Sequence, residues 1–105
     1  MDQSMRCRMA WAAAFSVVLG TSAAAAEDQA TRSLAANCTG CHGPGGNSAG
    51  AIPTIAGLEK ASIVTAMQEF KAGTKQATVM HQHAKGYTDQ EIEVLADYFS
   101  KQKRQ

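Results

Sequence analysis

Five consecutive residues, Cys38-Thr39-Gly40-Cys41-His42, constrain the fold of this chain more than any other feature. Two thiols separated by two residues can be presented by a single helical turn, and an imidazole follows the second thiol directly. C-x-x-C-H is the motif for haem attachment: each thiol adds to one haem vinyl group, and the histidine is carried to the iron. The fold must therefore leave room for a large, flat group beside this segment.

The N-terminal segment has the form of a secretory signal peptide. Arg6 and Arg8 precede an apolar run over residues 9–19, and small residues follow that run. The run is too short to span a bilayer permanently. We therefore expect a signal peptide over residues 1–26, export to the periplasm, no stable membrane anchor after cleavage, and a mature domain over residues 27–105. An uncleaved N-terminal anchor is the alternative.

Other uses of the cysteine pair stay open at this point. A disulfide or redox pair of Cys38 and Cys41 would suit a thioredoxin-like fold, although no βαβ pattern surrounds the motif. A zinc site would combine both cysteines with His81 and His83, although that His-x-His spacing is outside the usual zinc patterns. A structural pair of buried free thiols is disfavoured because exported thiols tend to oxidise.

Charge and size limit the possible partners and the size of the core. The whole chain of 105 residues has a formal net charge of +1, and the predicted mature domain is close to neutral. Its small basic cluster at residues 101–104 is typical of a solvated helix end, so no nucleic-acid partner is expected. A domain this small, rich in alanine and poor in aromatic residues, needs a staple such as a cofactor.

The hydrophobic pattern predicts an all-α domain with three main helices and long loops. The predicted helices span residues 30–37, 59–72 and 89–101. The second and third carry apolar stripes at helical spacing, and Thr88 with Glu91 forms a capping box before the third. Residues 43–50 are rich in glycine and read as a loop, and residues 75–86 have weak periodicity and are predicted to be an extended loop.

The motif, its helix and the loops after it resemble the small class I cytochrome c domain. The resemblance implies three main helices and long loops around one haem. It also implies that a methionine before the last helix binds the other face of the iron, which makes Met80 the second axial ligand beside His42. His81 and His83 are alternative ligands, and Met67 is assigned to the core because it lies on a helical apolar stripe.

Two further residues are candidates for the site, and the first of them is assigned through the same resemblance. The family places a proline carbonyl shortly after the motif, where it accepts the N–H of the proximal histidine, and Pro53 matches that position. Such a contact would fix the orientation of the His42 ring. Tyr87 is expected to pack against the haem or in the core, where it either bonds a haem propionate or fills a gap.

Three longer stretches of the chain read AIPTIAGL, ATVM and AKGYTDQEIEVLADYF. They are similar to the cytochrome subunit of flavocytochrome c sulfide dehydrogenase. The resemblance implies a single-haem form of this subunit, which carries one electron at a time and receives electrons from a flavoprotein partner. A free mobile carrier to a terminal oxidase or another redox enzyme is the alternative, and a haem enzyme with an open iron site is a third hypothesis.

Overall fold

The computed structural model describes the backbone of residues 21–105 and the side chains of residues 28–105. Over these residues it has four α-helices, one short 3-10 helix and no strand. The elements are α1 (Thr21–His42), the 3-10 helix (Pro44–Gly46), α2 (Lys60–Ala72), α3 (Met80–Lys85) and α4 (Asp89–Ser100). The predicted all-α fold class is confirmed. Residues 1–20 of the predicted signal peptide lie outside the described residues.

Local signals in the sequence explain the second and last helices well. The hydroxyl of Thr88 accepts a hydrogen bond from the Glu91 amide at 3.1 Å, and the Glu91 carboxylate accepts one from the Thr88 amide at 2.8 Å. This reciprocal capping box satisfies two amides that would otherwise lack partners at the start of α4. Helix α2 ends at Gly73, whose φ of 78° suits a residue without a β-carbon.

The first helix is longer than predicted. It was expected over residues 30–37, whereas α1 continues through the whole cysteine motif to His42. Gly43 ends it with a φ of 86°, a backbone conformation that other residues rarely adopt. None of the helices in residues 21–105 is long and apolar enough to cross a membrane.

The prediction of an extended loop over residues 75–86 was wrong in its second half. Residues Met80–Lys85 form α3, a helix of six residues. No side chain caps its first turn, so the sequence carried no start signal. Helix α3 is instead held by packing, because Ala84 is fully buried and α3 lies against α2.

The core is formed where α2 packs on α3 and α4, and where α1 packs on α4. Phe99 and Ile92 of α4 are its largest fully buried side chains, and each contributes roughly 1.5–3 kcal/mol by leaving water. Alanine supplies four of the nine buried apolar side chains among the described residues. Alanine buries little apolar area, so the protein part of the core is thin, as the sequence indicates.

Candidate haem site

The last turn of α1 presents both thiols of the motif. Cys38 and Cys41 are three residues apart on the helix and therefore lie on the same face. Cys38 is half-buried against the hydrophobic core, Cys41 is exposed, and both are free thiols. Burial raises the pKa of the Cys38 thiol because the thiolate loses hydration. This favours the uncharged thiol, and a thioether at the same position would be uncharged as well.

His42 is the last residue of α1, and its side chain is buried. Its Nδ1 lies 2.6 Å from the carbonyl oxygen of Pro53, to which it donates its N–H. With the proton on Nδ1, the lone pair of Nε2 is available to bind a metal. This is the contact that the family resemblance implies for Pro53.

The loop between α1 and α2 folds back on itself to bring Pro53 to this position. The Gly46 carbonyl accepts hydrogen bonds from the amides of Ile55 at 2.8 Å and Ala56 at 3.1 Å. Gly46 is buried, and a β-carbon there would come within 2.9 Å of both the Ile55 and Phe99 side chains. The glycine thus allows the loop to pack directly on α4.

Met80 lies on a different element from the motif, at the first position of α3. Its side chain is half-buried and packs against the same core cluster as Cys38 and Tyr87. Tyr87 also borders an open groove between α1 and the end of α3. It is lined by Asn37, Gln82, His83, Gly86 and Tyr87. His83 therefore faces an open surface, whereas Met80 packs towards the interior.

A polar cluster that the sequence did not reveal fixes the chain just after α3. The Lys71 ammonium donates to the Tyr87 carbonyl at 2.8 Å and to the Asp89 carboxylate at 3.0 Å. Gln68 donates to the same carboxylate at 3.1 Å. The hydrogen bond from Lys71, with that from Gln68, lowers the pKa of Asp89. The cluster ties α2 to the start of α4 and so holds one end of the segment that carries Met80.

Asp89→Asn is expected to remove a pH-dependent part of the stability. Because the pKa of folded Asp89 is depressed, its ion pair stabilises the protein above the unfolded pKa of about 3.9 and is lost as pH falls through the folded value. Thermal melts at neutral pH and near pH 3 should show the wild type losing its advantage over the variant on acidification. Lys71→Met should abolish the same acid-dependent difference, and a constant difference at all pH values would contradict the assignment.

The arrangement of the cysteines and histidines in the described residues does not match the zinc site or the disulfide considered from the sequence. Within the described residues, no group of three His, Cys, Asp or Glu side chains is placed to hold a metal ion. Cys38 and Cys41 are not joined to His81 and His83 as one ligand set, and the two thiols are not bonded to each other. The donors present are two thiols on one helix face, an oriented imidazole and a thioether, which fit a covalently attached haem.

Comparison with known proteins defines the class. Residues 27–103 match the family Cytochrome c. The chain therefore belongs to the cytochrome c family, whose cofactor is covalently attached haem c.

Individual relatives are similar over part of their length. The cytochrome subunit of sulfide dehydrogenase from Chlorobaculum tepidum is 50% identical over 66 residues, covering 63% of this chain and 60% of that protein. Cytochrome c4 from Azotobacter vinelandii is 35% identical over 96 residues, covering 82% of this chain and 46% of that protein. The thiosulfate dehydrogenase electron acceptor from Thiomonas intermedia is 37% identical over 71 residues, covering 66% of this chain and 33% of that protein. The chain thus spans three fifths or less of the length of these relatives.

Proposed function

We propose that the protein is a periplasmic single-haem c-type cytochrome that transfers one electron at a time. The observation that carries this proposal is the buried His42 ring at the end of the cysteine motif, with Nδ1 held 2.6 Å from the Pro53 carbonyl. An imidazole fixed in this way has its second nitrogen ready for an axial metal position. Membership of the cytochrome c family supports electron transfer as the reaction.

The motif and the residues after it have distinct roles in this proposal. Cys38 and Cys41 would hold haem c through two thioethers, and His42 and Met80 would be the protein ligands of its iron. When bound, haem c supplies an iron centre that alternates between ferric and ferrous states. With His42 and Met80 both serving as ligands, the protein would leave no position on the iron for a substrate. Tyr87 contacts the haem or one of its propionates.

Met80 is preferred over His83 as the second ligand because of where α3 places the two side chains, and over His81 because of ligand chemistry. The Met80 side chain is half-buried against the core cluster that also contacts Cys38. His83 lines the open groove, and His81 is the residue next to Met80 in α3. A thioether also suits an electron carrier, because methionine ligation raises the reduction potential relative to a second histidine.

Export is part of the proposal because it would bring the Cys38 and Cys41 thiols to the compartment in which haem is attached. The signal peptide over residues 1–26 would deliver the chain, and residues 27–105 would form the working domain. The residues matching the cytochrome c family begin at the proposed cleavage point.

The proposed partner is the flavoprotein subunit of a sulfide dehydrogenase. Support comes from the 50% identity to the cytochrome subunit of sulfide dehydrogenase. The flavin subunit would oxidise sulfide and pass electrons singly to this domain. A free carrier is the second candidate, favoured by the 37% identity to a protein named as an electron acceptor of thiosulfate dehydrogenase.

Purification of the tagged protein from the periplasm of its native host tests the partnership. We expect a flavin-containing protein to copurify in fixed proportion and to reduce the haem when sulfide is added. The matched control is a tagged chain carrying His42→Ala, which should fail to be reduced in the same complex. Recovery of free monomer alone, with no reduction by sulfide, would contradict the partnership and favour the mobile carrier.

A further inference from the structure

The side chain of Asn47 joins two parts of the chain that are far apart in sequence. Its Nδ2 donates to the carbonyl of Lys103 at 2.9 Å, and its Oδ1 accepts from the amide of Gln105 at 2.9 Å. These bonds link the loop that follows the motif, residues 43–57 (the proximal loop), to residues 102–105 (the latch segment). The donor and the acceptor of the Asn47 side-chain amide thus both bind the backbone of the latch segment.

Gly46 and Ser48, the two neighbours of Asn47 in sequence, form hydrogen bonds with the residues that follow Pro53. Gly46 accepts from the amides of Ile55 and Ala56, and the Ser48 amide donates to the Thr54 hydroxyl at 3.1 Å. Residues 54–56, which directly follow Pro53, are therefore hydrogen-bonded to the two residues that flank Asn47.

The other end of the same stretch is also fixed. The Gly57 amide donates to the Phe99 carbonyl at 2.9 Å, which ties the proximal loop to the end of α4. Residues 49–53, by contrast, are exposed to solvent. The position of the Pro53 carbonyl is consequently set by the anchored residues that follow it.

We propose that Asn47 is a positioning residue for the proximal histidine: by binding the latch segment it holds the proximal loop, and with it the carbonyl that accepts from His42. The proposal rests on the proposed role of His42 as an iron ligand. Neither alanine nor aspartate can replace the amide, because alanine has no polar group and an ionised aspartate accepts hydrogen bonds but donates none. Loss of the side chain leaves two backbone groups of the latch segment without these partners.

Hydrogen exchange of the holoprotein in its reduced state tests the proposal. The signal of the His42 ring N–H reports local opening of the proximal loop, and the amide of Leu95 in α4 reports opening of the core. In Asn47→Ala the ring N–H is expected to exchange about tenfold faster relative to the Leu95 amide, which corresponds to about 1.4 kcal/mol of local stability. In Ile63→Val, a core variant away from the proximal loop, both signals should accelerate by the same factor.

A second variant removes the same contact from the other side. Gln105→Pro lacks the amide that donates to Asn47 but keeps the bond to Lys103, so it should raise the same ratio by a smaller factor. Combining it with Asn47→Ala should add nothing further, since both changes remove one shared interaction. If Asn47→Ala does not accumulate as holoprotein, the ratio in Gln105→Pro decides.

The proposal would be overturned if hydrogen exchange of the His42 ring N–H and of the Leu95 amide accelerated equally in Asn47→Ala and in Gln105→Pro. Full additivity of the double variant would overturn it as well. The role of His42 is tested separately by the spectrum of His42→Ala. Unchanged axial ligation in that variant would remove the ligand assignment, whereas the exchange ratio depends only on the contact between His42 and Pro53.

Discussion

Replacing both cysteines of the motif, Cys38→Ala with Cys41→Ala, is expected to eliminate covalent haem and to leave a chain without a stable fold. Both thioethers would be lost, and His42 alone would hold the cofactor on that side. The protein part of the core is thin, with alanine at four of its nine buried apolar positions in the described residues. Small domains of this kind depend on a bound group for their net stability.

Haem staining after denaturing electrophoresis and thermal melts of helicity measure the two parts of this result. The double variant should show no staining and no cooperative transition. Cys7→Ala is the matched control, because Cys7 falls in the predicted signal peptide, outside the described residues; it should retain full staining. A double variant that still carries covalent haem, or melts like the wild type, would contradict the roles assigned to the two thiols.

Met80→His is expected to lower the reduction potential on the order of 0.2 V, a fraction of the roughly 0.8 V range that axial ligands span. A thioether is a weaker donor than imidazole and favours the ferrous state, so its replacement should stabilise ferric iron. Met80→Ala should instead open one axial position and convert the ferric protein to a high-spin form. Redox titration and the visible spectrum at neutral pH measure both changes.

Met67→Leu provides the control for these variants. Met67 is buried on α2 within the core cluster, so a change of similar volume should cost less than about 1.5 kcal/mol and leave the potential unaltered. An unchanged spectrum in Met80→Ala would contradict the assignment of Met80. Variants of His81 and His83 would then identify the ligand among the two histidines of α3.

Much of the helical framework was predictable because its signals are local. The capping box of Thr88 and Glu91 and the apolar stripe after it define α4, and Gly73 marks the end of α2. Helix α3 was not predicted because six residues are too few to show a periodic apolar pattern. In addition, no capping side chain marks its start. The extension of α1 through the motif was indicated only by the spacing of the two thiols, since the cysteines, glycine and histidine there are not strong helix formers.

The polar contacts around the site were not predictable for a different reason. Lys71 lies on α2, whereas its partners Tyr87 and Asp89 lie after α3. Asn47 is far from its partners Lys103 and Gln105 in sequence. Nothing near these residues in sequence distinguishes them from ordinary exposed lysines and loop asparagines. Only the folded chain brings the partners together.

The most direct test of the proposed ligation is the magnetic state of the iron in the purified exported protein at neutral pH. Two protein ligands, His42 and Met80, predict a low-spin ferric form. In the ferrous form, the Met80 methyl signal should be shifted strongly upfield by the ring current of the haem. A high-spin ferric spectrum, with the Met80 methyl in its ordinary range, would contradict this ligation and leave an open iron site.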